Sequence, residues 1–309
     1  MSCYSLIALS LTILYCVGSS EGISFGGIAL PKVAPELFRS ESSEVLGFAD
    51  KLKVENEEMY ALLLDLVSND KAGWTHVVTT ADGVTVQKRK MPTGSYVKEE
   101  DAAAGKKHAG VKSTGIIKAP IETVFDLFID NDRVREYNEH IVKVRNVDVD
   151  IPKSLNPKSH WTKVTWSSSP KYGPFKARDF VSVVNYRKFN NGTCIILNRP
   201  AYLEGYEPQP SKYVRATVLL AANILTPTQN GHTHLTQIAH INPGGGADTK
   251  LVAKIANRLC ARGPPYFFKN LEKAAWNSKQ KKGRVLGSKN LFEGVSTLPR
   301  GVYNNKYKK

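Results

Sequence analysis

The chain has 309 residues, 41% of them hydrophobic and 23% charged, which excludes a disordered or fibrous polymer and allows a sizeable core. Its four cysteines, Cys3, Cys16, Cys194 and Cys260, are too few and too scattered for a disulfide framework or a metal-ligand pattern, and the last two read as buried, reduced thiols. A net charge of +15 favours anionic partners, either phospholipid headgroups or nucleic acid, and is silent on fold.

Leu6 to Val17 is an apolar run followed by Gly18-Ser19-Ser20. It is too short for a spanning helix and fits the core of a secretory signal peptide over residues 1–20. No basic residue precedes it, so an uncleaved anchor and the first half of a plastid-type leader stay open as readings. Residues 21–54 are rich in Gly, Pro and Ser, lack a period and read as a linker. From Glu55 to Val67, Met59, Leu62, Leu63 and Leu66 share one helical face. Short strands at Trp74–Val78 and Val84–Lys88 flank Asp82-Gly83, a hairpin signal. Two more strands are expected at Ser95–Glu99 and Val111–Ile117, on either side of a Gly105-Lys106-Lys107 loop.

Pro120 suits a first helical turn, where no amide donor is needed, and Glu122 suits that end of the helix dipole. Ile121, Val124, Phe125 and Phe128 form the buried face. Asp130-Asn131-Asp132 ends this helix, and Arg133 to His140 continues as a second short one. Strands follow at His160–Trp166, Asp179–Phe189, Thr193–Asn198, Tyr213–Leu225 and His232–Asn242. The second and third of these flank Asn190-Asn191-Gly192, the strongest hairpin signal in the chain. Phe180, Ser182, Val184 and Tyr186 share one face of the strand before it, and Val181, Val183, Asn185 and Arg187 the other. Neither face is strongly polar, so both should be covered. Ala201–Lys212 is a loop.

After Pro243-Gly244-Gly245-Gly246 a long helix is expected. Leu251, Val252, Ile255, Ala256 and Leu259 make its first apolar stripe, and Phe267, Phe268, Leu271, Ala274 and Ala275 its second. Gly263-Pro264-Pro265 between them should kink or break it. The last residues form a tail in which nine basic residues, Lys279 to Lys309, stand against Glu293 alone. Hairpin-length loops imply one antiparallel sheet, and its apolar concave face needs a cover, for which the last helix is available. The fold class is therefore α+β, a curved antiparallel sheet gripping a long C-terminal helix.

Trp74 with Asp82-Gly83-Val84, then Arg178-Asp179-Phe180-Val181, Val214-Arg215 and Asn242-Pro243-Gly244-Gly245, taken in this order, resemble the START domain, the StAR-related lipid-transfer family. The resemblance covers residues 55–279 and leaves the leader, the linker and the basic tail, 280–309, outside. It implies a helix-grip fold in which a tunnel between sheet and last helix holds one lipid, with no catalytic residue, cofactor or metal. It places Tyr137, Thr165, Trp166, Phe180, Val184, Arg215, Leu219, Phe267, Phe268 and Leu271 on the tunnel, and Leu203 and Tyr206 in a lid loop. The acid–arginine pair of the sterol-binding branch falls on Thr165 and Val184 and is missing. Two members of the choline-binding aromatic cage fall on Trp166 and Phe180, and the third near Leu219. The branch's phosphate-binding arginine falls near Val134, with Arg133 and Arg135 as neighbours. A phospholipid is favoured, with a sterol as the alternative.

Other readings compete. A hydrolase or cyclase could use the same cavity, but the two Gly-x-Ser-x-Gly matches, Gly18–Gly22 and Gly22–Gly26, fall in the leader and linker outside the expected domain, and the Gly-rich run is not a dinucleotide fingerprint. His232, His234 and His240 share a strand face, read as a solvated face before a metal site. Arg178 and Asp179 read as a structural ion pair. The tail resembles no nucleic-acid module and fits an anionic membrane surface or plain solvation. Asn191-Gly192-Thr193 is a glycosylation sequon, usable only behind a secretory leader. The expected protein is a monomeric lipid carrier with no nucleic-acid partner.

Overall fold

The computed structural model describes residues 48–68, 73–151, 160–171, 175–208, 210–245 and 263–282. The leader, most of the linker, the stripe from Leu251 to Leu259 and the tail beyond residue 282 lie outside the described residues. Helix α1 spans Phe48–Ser68, and strands β1 (Thr75–Thr79) and β2 (Thr85–Arg89) follow. Helix α2 (Glu99–Gly105) precedes β3 (Gly110–Ile117). Helix α3 (Ile121–Ile129) and a 3-10 turn (Asn131–Arg133) lead into the short α4 (Val134–Tyr137). Strands β4 (Lys143–Asn146), β5 (His160–Ser168), β6 (Ala177–Lys188), β7 (Cys194–Pro200), β8 (Tyr213–Arg215), β9 (Thr217–Pro227) and β10 (Thr233–Asn242) then complete one sheet. Helix α5 (Gly263–Lys282) closes the described chain.

The strand order is β1-β2-β3-β10-β9-β7-β6-β5-β4, with neighbours antiparallel along this path. Register aligns Lys163, Val184, Asn198, Ala221 and Ala239 in one row across five strands. Side chains on such a row point to the same face. In the next row Trp161, Tyr186, Ile196, Asn223 and Gln237 do the same. These rows face the concave side.

Helix α5 lies on that side. Phe267, Phe268, Leu271, Ala274 and Ala275, spaced three and four apart, are buried in one cluster with Val84, Val86, Val111 and Ile117 of the sheet region. A side-chain carbon at Gly115 would stand 2.9 Å from Phe268, so the helix can lie this close only over a glycine. Two polar ties fix its azimuth. Glu272 accepts from the Lys118 amide at 2.9 Å, and Ser278 accepts from Arg133 at 2.6 Å. Gly263, Pro264 and Pro265 open this helix. Prolines in a first turn cost no hydrogen bond there.

The convex side is covered too. Met59, Tyr60, Leu63 and Leu66 of α1 pack on Ile195, Leu197, Ala222 and Ile224. Two buried arginines of the sheet reach up to the same helix. Arg187 forks onto Glu57 at 2.8 and 3.1 Å, and Arg199 pairs with Glu55 at 2.7 Å. Burial pushes the Glu55 carboxyl up and the Arg199 guanidinium down, so desolvation outweighs attraction at this pair.

Several elements differ from the sequence expectation. Ser95–Glu99 is a turn rather than a strand: its Ser95 amide and hydroxyl both donate to Glu58 at 2.6 Å. Glu99, Glu100 and Asp101 then open α2, three acids at the positive end of a helix, followed by three alanines. Gly105 ends this helix instead of opening a loop. Strand β4, Lys-Val-Arg-Asn at the sheet edge, carries too little apolar pattern to be seen in the sequence. The stretch expected from Tyr213 to Leu225 divides at Ala216, and β8 pairs parallel to β6.

Removing Arg199 leaves the partly buried Glu55 with only the exposed Lys51, 4.0 Å away, against it. Arg199→Ala should cost about 3 kcal/mol in urea unfolding. A loss below about 1 kcal/mol would show that apolar contacts alone hold α1.

Candidate functional site

Between the concave face and helices α3, α4 and α5 lies a cavity of about 240 Å³. Its apolar wall includes Phe128, Tyr137, Phe180, Val184, Ile196 and Phe267. Three rings close one side: Phe128 and Tyr137 stand 5.4 Å apart between centroids, and Phe267 meets Tyr137 edge-on at 5.8 Å. Trp161 stacks on Tyr186 at 4.9 Å and carries the aromatic layer across the sheet. Polar groups interrupt this surface. Lys163, Thr165 and Ser167 come from β5, Ser182 from β6, Asn198 from β7, Asn223 from β9 and Gln237 from β10.

Lys163 is the one Lys or Arg on the described wall, and no Asp or Glu is among the wall residues. Its ammonium donates to the Ile129 carbonyl at 3.0 Å and to Asn131 Oδ1 at 2.9 Å. Burial lowers its pKa to about 8, with Asp130 opposing the shift. Burial also lowers His140, another wall residue, against the pull of Glu139.

Of the residues expected on the tunnel, Tyr137, Thr165, Phe180, Val184 and Phe267 line the cavity. Phe268 and Leu271 are buried beneath α5 in the adjoining core and do not reach the wall. Trp166, Arg215 and Leu219 stand elsewhere, and the expectation is corrected for each. Trp166 is one residue out of phase with Thr165, so it points to the convex side, where its indole donates to Asp179 at 3.1 Å. Arg215 forks onto the same Asp179 at 2.9 and 3.0 Å. Leu219 sits at a register shift. Val218 pairs with Ile241 and Leu220 with His240, leaving Leu219 as the extra residue of a bulge. It is buried under α2, where a side-chain carbon on Gly105 would collide with it.

Leu203 and Tyr206, expected in a lid, pack on Val181 and Val183 of the convex face, away from the cavity. The expected Arg178–Asp179 pair is also redistributed, since neighbours on a strand point to opposite faces. Arg178 donates to the carbonyls of Lys176, Pro243 and Gly244 at 2.7, 3.0 and 3.2 Å, anchoring the turn after β10. His240 is 1% exposed and contacts the Gly105 carbonyl at 3.1 Å, so that strand face is not solvated at this end, while His232 and His234 are half-buried. Among the described residues no group of three His, Cys, Asp or Glu can hold a metal.

The sequence reading missed Lys163, Ser182, Asn198, Asn223 and Gln237. Alternation was a usable signal for the first two: once Thr165 and Val184 face inward, residues two away on each strand must follow.

A sheet that grips a helix over an internal cavity defines the helix-grip class. The START domain family matches residues 54–281, and the chain belongs to that family. Solved structures agree on the fold. Human StAR-related lipid transfer protein 5 is similar at a TM-score of 0.57 and 18% identity, covering 74% of this chain and 99% of its own. Human STARD10 is similar at 0.54 and 18%, covering 79% and 85%. A comparison with curated protein sequences finds no match. Among the described residues no helix is long and apolar enough to cross a membrane.

The Lys163 ammonium should titrate near pH 8 in NMR of lysine-labelled protein. Between that value and the ordinary 10.5 the unfolded chain holds the extra proton, so this group adds stability as pH rises across the window. A midpoint near 10.5 would place the amine in water.

Proposed function

We propose that the protein carries single lipid molecules between membranes, holding the lipid between the concave sheet face and α5. The cavity carries this reading: an apolar chamber with a few inward polar groups is what an aqueous carrier of an amphiphile requires. Each methylene taken out of water contributes about 0.8 kcal/mol, so a chain of ordinary length is held strongly by burial alone. Membership of the START family supports the same function.

A phospholipid is favoured over a sterol, because Thr165 and Val184 stand on the wall where the sterol branch has an acid and an arginine. Choline is disfavoured as the headgroup. Of the three cage positions only Phe180 is on the wall. At about 240 Å³ the chamber is below the range of pockets for drug-sized molecules, roughly 300–1,000 Å³. A two-chain lipid therefore enters as α5 or the segment from Asn138 to Ile141 moves outward. The basic tail supplies attraction to anionic membranes, about 1 kcal/mol per basic residue near the surface. A leader over residues 1–20 directs the carrier to the secretory route, where Asn191, exposed at the β6–β7 turn, is open to glycosylation. Carriage is preferred to hydrolysis because the wall hydroxyls stand without a carboxylate among the wall residues.

Transfer of a fluorescent phospholipid between vesicles tests this. The full chain should accelerate transfer. Ala239→Trp, which puts a large ring on the β10 side of the floor, should slow it about tenfold. Equal rates for both proteins, with both folded, would rule out the cavity as the carrier site.

A further inference from the structure

The cavity has a charge asymmetry that a purely apolar cargo would not need. Lys163 stands on its wall, and the wall includes no carboxylate. Removing an ammonium from water is costly unless something compensates it. The Asp130 carboxylate, off the wall, and two neutral oxygens do part of this. The Ile129 carbonyl at the end of α3 accepts one hydrogen at 3.0 Å, and Asn131 Oδ1 accepts another at 2.9 Å. Asn131 is itself oriented, because its amide nitrogen donates to Asn146 Oδ1 at 2.9 Å and so turns its oxygen to Lys163. The Tyr186 ring lies 5.2 Å from the ammonium. An ammonium has three hydrogens, and these contacts account for two.

Around it the sheet presents more donors. Thr165 is two residues along β5 from Lys163 and directly opposite Ser182 in register. Asn198 neighbours Val184, the register partner of Lys163. All three line the same cavity. The donors converge from adjacent strands, whose spacing of about 4.8 Å lets several reach one group of oxygens. The aromatic and aliphatic wall around Phe180, Val218 and Ile241 lies farther along the sheet.

Resting on the carrier reading above, we infer that Lys163, with Thr165, Ser182 and Asn198 beside it, receives an anionic oxygen headgroup, a carboxylate or a phosphate. The third ammonium hydrogen and the two hydroxyls donate to the anion. The interaction is charge-assisted and surrounded by apolar groups, which strengthens it relative to water. A cationic headgroup meets the same ammonium with like charge and is rejected. This gives the cavity a polarity of its own: the headgroup lies toward β5 and the end of α3, and the chain runs toward β9, β10 and α5.

Binding of two matched lipid pairs to the full chain tests the assignment by calorimetry. The pairs are oleate against methyl oleate, and phosphatidic acid against the diacylglycerol with the same chains. In at least one pair the anionic member should bind at least tenfold more tightly, and the pair that shows it identifies carboxylate or phosphate as the source. Lys163→Met should bring that ratio near one, while Lys163→Arg keeps most of it. A ratio near one for both pairs in the natural protein overturns the inference but leaves the carrier standing. So does a ratio unchanged by Lys163→Met. If none of the four lipids binds, the carrier reading falls with it. Should Lys163→Met fail to fold, the ratio in the natural protein and its retention by Lys163→Arg decide.

Discussion

The structure depends on one strand that is covered on both faces. Residues Arg178 to Arg187 of β6 are all buried. Phe180, Ser182, Val184 and Tyr186 face the cavity, and the odd-numbered residues face the layer that includes α1. A strand in the middle of a one-layer sheet would present one face to water and alternate in polarity. Here neither face can, so the strand couples the helix behind the sheet to the chamber in front of it.

That coupling explains where polar groups are tolerated. On the convex side Asn185 and Arg187 are buried but fully engaged, with Arg187 on Glu57 and Asn185 on Thr162 at 3.0 Å. On the concave side Ser182, two residues from Val184, faces open space instead of packed neighbours. The same backbone thus carries a closed polar network on one face and an available one on the other. Helix α5 completes the arrangement from the opposite wall. Its phenylalanines and Tyr137 pack edge to face rather than filling the space with aliphatic chains. Rigid rings pack around a chamber without collapsing into it.

Much of this architecture was legible in the sequence, and the rest was hidden for physical reasons. Runs of strand-forming residues with turn residues between them, such as β6 and β7 around Asn191-Gly192, announce themselves. So does α5, whose buried positions repeat every three or four residues. Helix α2 was hidden because Tyr96 and Val97, which precede it, look like strand residues until Glu58 captures the Ser95 backbone. The site was read less well than the fold. Residues carried over from the family resemblance went astray where register intervenes. Trp166 is one step out of phase, and Leu219 is the extra residue of a bulge that reverses inward and outward along β9. Parity of this kind cannot be counted from a sequence until every bulge is known. The loop with Leu203 and Tyr206 joins strands across the sheet, and which face it folds over depends on distant partners such as Arg215 and Val181.

The most direct measurement is native mass spectrometry of the full chain purified from cells and again after incubation with vesicles. One added mass in the lipid range per chain, at a stoichiometry of one to one, is the predicted result. A chain that carries no lipid from the cell and takes none from the vesicles would contradict the account at its centre, since the hollow under α5 would then have no occupant.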